Sequence, residues 1–163
     1  MDKSVKNRRV AIFLALALMS IALILEIIPG SVISVSSRVC MDELGNTYGC
    51  KYYTHHSYFD FYLVAYGMVF PLITGLITIA IIVILIIRIF KPLSLVKVTF
   101  ILPLVGLGLS LLSFFFFGDE NTFTIPGIII IALFVAGIIV NILDNVTYNR
   151  SIEIQNQYFF TYL

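Results

Sequence analysis

Cys40 and Cys50 are the two cysteines of this 163-residue chain, and both lie in one polar stretch, CMDELGNTYGC. Thiols so placed can close a structural disulfide, cycle between oxidation states, or ligate a metal. Around them sit Glu26, Asp42, Glu43, His55, His56 and Asp60, the donor types of a zinc or copper site. The spacing argues against a metal: His55 and His56 are adjacent, an extended strand points them to opposite faces, and no ligand motif is present. It also argues against redox cycling. Membrane oxidoreductases that pass electrons to a quinone use a tightly spaced C-x-x-C pair, whereas here the spacing is wide and no second pair exists. A membrane thiol oxidoreductase therefore stands as an alternative function, and no metal or cofactor is expected.

Other catalytic patterns are missing. The sequence has no glycine-rich phosphate loop, no G-x-S-x-G and no H-E-x-x-H. A net charge of +1 without a basic, aromatic-interleaved patch gives no basis for nucleic-acid binding. A non-enzymatic protein is the expectation.

The elements that position these residues belong to a membrane protein. The chain is 60% hydrophobic and 12% charged, with a mean hydropathy of +1.05, and a soluble domain carries about twice that charge. Four apolar stretches approach the roughly 20 residues a helix needs to cross a bilayer. They run at about 10–28, 62–90, 99–117 and 125–140, with an outer loop at 29–60 and a tail at 144–163. The whole chain, 1–163, is read as a single integral membrane domain, an all-α four-transmembrane-helix bundle. The second stretch exceeds the hydrocarbon core if straight, so it must tilt, project or kink at Pro71, which is read as the sole mid-helix breaker. Pro126 suits the first turn of the fourth helix.

Charge sets the orientation. Lys3, Lys6, Arg8, Arg9, Arg88, Lys91, Lys97 and Arg150 flank one side, and Arg38 and Lys51 the other. The positive-inside rule then predicts cytoplasmic N- and C-termini in a plasma or cytoplasmic membrane, with the 29–60 loop extracytoplasmic. Outside the cell a Cys40–Cys50 disulfide is expected. The β-branched run before Cys40 and the aromatics after Cys50 predict a small β-hairpin between the first two helices. A three-residue turn at Leu44, Gly45 and Asn46 would set the cysteines directly across the ladder.

Tyr52, Tyr53, Tyr58, Phe59, Phe61, Tyr62 and Tyr66 form an aromatic belt at the outer interface. Glu26 is the one acid read as lying within a span, near its outer end, with Lys51 and the histidines as expected partners. The pairs Ala11/Ala15, Gly106/Ser110 and Ala132/Ala136 are small-xxx-small pairs, which predict close helix contacts.

Four spans, both termini inside and a first outer loop with a C-x9-C hairpin resemble the claudin superfamily, which includes the peripheral myelin proteins. Cys40 and Cys50 match its disulfide, and CKYY looks like its basic-aromatic continuation. The resemblance implies a small sheet pinned against a helical bundle. The chain departs from the family where Gly-Leu-Trp precedes the first cysteine: it has SSR there and no tryptophan. The family's paracellular roles rest on long outer loops, so they do not carry over.

The expected function is protein–protein contact through the outer loop, in an accessory, scaffold or adhesion-type role. Its interaction candidates are Tyr52, Tyr53, His55, His56, Asp60 and Glu26. The expected partners are the lipid bilayer and another protein or a second copy of the chain. An oligomeric channel or transporter component is the other alternative.

Overall fold

A computed structural model describes residues 3–61, 63, 69–91, 95–116 and 124–161. Tyr62, Tyr66 and residues 117–123 lie outside the described residues. The elements run α1 (Lys3–Ile27), β1 (Val32–Met41), β2 (Thr47–His56), α2 (Val69–Phe90), α3 (Val96–Phe116) and α4 (Ile125–Thr161).

Three helical segments are long and apolar enough to cross a membrane: Asn7–Ile27, Val69–Phe90 and Ile125–Val146. The expected third span corresponds to α3, whose described apolar stretch, Val96–Leu112, is shorter than these. Pro103 lies inside α3, so Pro71 is not the sole proline within a helix; Pro71 instead falls in the first described turn of α2. A proline at 103 removes one backbone hydrogen bond from the middle of its helix. Helix α4 continues through the segment read as a tail, from residue 144 to Thr161.

Helix α1 packs on α4 and α2, and α3 packs on α2 and α4. Each buries one stripe. On α1 the buried positions are Arg8, Ile12, Ala15, Met19, Ala22 and Glu26, separated alternately by four and three residues, the interval that keeps side chains on one helical face. On α4 the stripe is Gly127, Ile130, Phe134, Gly137, Ile138, Asn141 and Asp144. Ala15, Gly106 and Ser110 are buried as expected, but Ala132 is exposed, so Ala132/Ala136 is not the contact face of α4. Its close approach is made by Gly137, where an added Cβ would lie 2.7 Å from the Met19 methyl. The remaining faces carry Val10, Phe13, Ile21, Ile24, Ile128 and Ile139, all substantially exposed, as expected where hydrocarbon is the neighbour.

The buried stripes carry polar side chains toward their ends. Arg8 and Glu26 end the one on α1, Thr74 and Thr78 lie in the first half of the one on α2 and Arg88 ends it, and Asn141 and Asp144 close that on α4. These ends gather into two polar clusters.

The hairpin is a two-stranded antiparallel sheet. Its register pairs Cys40 with Tyr48 and Arg38 with Cys50, so the cysteines are not directly opposed. The turn is the cause. Asp42 accepts the Leu44 and Asn46 amides on Oδ1 at 3.0 and 2.7 Å and the Asn46 side chain on Oδ2 at 3.0 Å. Gly45, at φ +82°, completes the loop, and its amide donates to the Asp42 carbonyl. This organises residues 42–46 as a five-residue loop and shifts the register by two. An even shift leaves both cysteines on one face. The disulfide then closes on a diagonal, with Cα atoms 5.8 Å apart, inside the bridging range.

Candidate functional site at the outer rim

The rim is built where the hairpin meets the helix ends. Ser31 donates to the carbonyls of Leu25 and Ile28, satisfying groups the end of α1 leaves open. Thr124 caps α4: its hydroxyl accepts the Gly127 amide at 3.1 Å and donates to the Ser31 carbonyl at 2.9 Å. The Gly30 amide donates to His56 O at 3.1 Å, and the Tyr58 amide to Glu26 O at 2.8 Å. The base of the hairpin is thereby fastened to both α1 and α4.

Three contacts on one face of the ribbon follow the same diagonal. Ser34 Oγ meets His56 Nε2 at 2.9 Å, the Arg38 guanidinium lies 5.4 Å from the Tyr52 ring centre, and Cys40 bonds to Cys50. In each case the partner sits two residues beyond the directly paired one. A two-stranded ribbon twists strongly and with fixed hand, which draws in one diagonal and opens the other. Tyr52 and His56 occupy this face. Tyr53 and His55 occupy the opposite one, together with Val39 and Met41. The six interaction candidates therefore do not form one patch.

His56 is buried and central to the anchor. Its Nδ1 lies 2.7 Å from Asp60 Oδ2. With Nδ1–H donating to the carboxylate, a neutral ring leaves Nε2 to accept from Ser34. Hydroxyl, imidazole and carboxylate are in the order of an acyl-transfer relay. Ser34, however, sits mid-strand opposite Thr54, not on a turn that offers converging N–H groups to an oxyanion. The arrangement ties β1 to the segment after β2.

Glu26 does not meet Lys51 or the histidines as expected. It is fully buried among the helices, where Thr78 Oγ1 donates to Oε1 at 2.8 Å. A helical side chain leans toward its N-terminus, which turns this carboxyl away from the hairpin and into the helix packing. Tyr58 is buried nearby, its amide bonded to the Glu26 carbonyl. Burial and the neighbouring Glu26 charge hold the Tyr58 phenol above its usual range, so it stays a hydroxyl.

The second cluster was not foreseen. Arg8 and Arg88 counted in the sequence as flanking positive charges, and 144 as the start of a tail. In the structure Asp144 Oδ2 is 3.2 Å from Arg8 Nε and 3.1 Å from Arg88 Nη2. Arg88 also donates to Thr99 Oγ1 at 2.8 Å and to Asn141 Oδ1 at 3.4 Å. All four helices thus contribute, and Glu26 is not the one acid within the helix packing. The available signal was the spacing of Asn141, Asp144 and Asn145, polar residues three and four apart on an otherwise apolar helix.

Among the described residues no group of three or more His, Cys, Asp or Glu side chains converges as a metal site. Comparison with known protein families, with characterised proteins and with solved structures finds no match.

Proposed function

We propose that the chain is a four-span integral membrane protein, termini cytoplasmic and hairpin outside, that works by gripping another protein with the distal half of its hairpin. The observation that carries this reading is exposure on a rigid support. Val39 is 78% exposed, Met41 69% and Leu44 87%, on a ribbon closed by the disulfide. Val39, Met41 and Tyr53 share the face opposite the disulfide, and Gly49 opposite Val39 leaves a gap in it. Apolar side chains grouped on a preorganised surface are the usual substrate of protein recognition. The basic flanks of the helices favour this orientation. Helix and hairpin order is also what the claudin-superfamily resemblance implies, at the level of architecture alone.

The reading is tested with a photocrosslinking amino acid at Val39 or Met41 in intact cells. A discrete protein adduct is expected, weakened when Cys40 and Cys50 are replaced by serine. Adducts to lipid alone would remove the proposal.

A further inference from the structure

We propose that Glu26 anchors a binding site for one monovalent metal cation, enclosed by α1, α2, α3 and Tyr58. Glu26 is 0% exposed. One carboxyl oxygen is engaged by Thr78; the other, Oε2, is sealed from solvent and has no hydrogen-bond partner among the described residues. A buried polar atom left in this state calls for a specific occupant, such as an ion or a bound water. In the apolar interior of a membrane protein, acids of this kind mark functional sites, ion sites and proton relays among them.

The surrounding donors select the ligand. Thr74 and Thr78 are both fully buried and stack one turn apart on α2, and the buried Tyr58 phenol lies near the Ser110 hydroxyl, whose oxygen also has no hydrogen-bond partner among the described residues. Thr78 Oγ1 shares its one proton between Glu26 Oε1 at 2.8 Å and the Thr74 carbonyl at 3.1 Å, which leaves its oxygen lone pairs open. Every group is a hard oxygen, the preference of alkali and alkaline-earth ions rather than of zinc or copper. Charge decides between those two. A single carboxylate neutralises a single positive charge, whereas a divalent ion would leave one uncompensated charge in a low-dielectric interior. The backbone bond from Tyr58 N to Glu26 O holds Tyr58 in place. This site is independent of hairpin recognition: it lies within the helices and does not use the exposed face.

The test uses the purified full-length protein in detergent at one fixed pH, with dicyclohexylcarbodiimide as a carboxyl-specific label mapped by mass spectrometry. Sodium, potassium or lithium chloride should slow modification of Glu26 about tenfold at ten times the dissociation constant, while choline chloride at equal concentration should not. The same alkali salt should raise the melting temperature above that in choline chloride, and Glu26→Gln should abolish the difference. Equal melting temperatures of the unmodified protein in all four salts would overturn the proposal, whether or not Glu26 reacts. So would a salt response that survives in Glu26→Gln, or equal labelling rates throughout.

Discussion

Arg88 on α2 and Asp144 on α4 face each other at 3.1 Å, with side chains 1% and 5% exposed. The second guanidinium, Arg8, shares the same carboxylate oxygen. Asp144 is therefore the acid on which charge balance at this end of the helices turns.

Asp144→Ala should cost roughly 3–5 kcal/mol, because it removes the shared partner of two buried cations. Unfolding in detergent micelles, followed by circular dichroism, would measure it. The combined change Arg8→Met, Arg88→Met and Asp144→Leu should restore most of the loss, since an apolar set has no charges to desolvate. A triple variant as unstable as Asp144→Ala would show that the cluster itself is a net source of stability.

Gly106→Ala should destabilise by about 1–3 kcal/mol through overpacking. An added Cβ would lie 2.6 Å from the edge of the Phe134 ring. Phe134→Leu in the same chain should relieve part of this, giving non-additive losses in a double-mutant cycle. Strictly additive losses would place the strain elsewhere.

Replacing Cys40 and Cys50 with serine should loosen the hairpin and leave the helices intact. In the chain-entropy description, closing so short a loop contributes about 3 kcal/mol. Amide exchange should therefore quicken between residues 32 and 56, most strongly at the distal end. Equal acceleration in α1 and α4 would contradict the local character of the staple.

Asp42 makes the turn sensitive to acid. Hydrogen bonds from the Asn46 side chain and amide, with Leu44 and Gly45 adding to them, hold its carboxyl below its ordinary value of 3.8. A lowered folded-state pKa stabilises the turn above the unfolded value, and that stabilisation is lost as pH falls through the folded one. The Leu44 and Asn46 amide signals should therefore shift in an NMR titration with a midpoint below 3.8, and the shift should vanish in Asp42→Ala. A midpoint above 3.8 would mean the carboxylate is not holding the turn.

The main elements were legible because hydrophobic run length and cysteine spacing are local signals. Helix α1, the hairpin and the Cys40–Cys50 pairing follow from them. The register was not legible, since the choice between a three- and a five-residue loop depends on where the Asp42 carboxylate points. Glu26 was visible as an acid near a helix end, but its partner Thr78 lies 52 positions away, beyond any spacing rule. The pairing of Arg88 with Asp144 is not legible for a related reason. A basic residue near the end of an apolar run looks the same whether it reaches water or a carboxylate on another helix.

Helix α4 continues about 15 residues past its apolar segment, from Val146 to Thr161. At 1.5 Å per residue this is a rod of roughly 22 Å. Where Ile125–Val146 crosses a bilayer, that rod carries the backbone on to Thr161 past the apolar segment. Tilting α4 within the bilayer would then swing the far end of that rod sideways, over an arc set by its length.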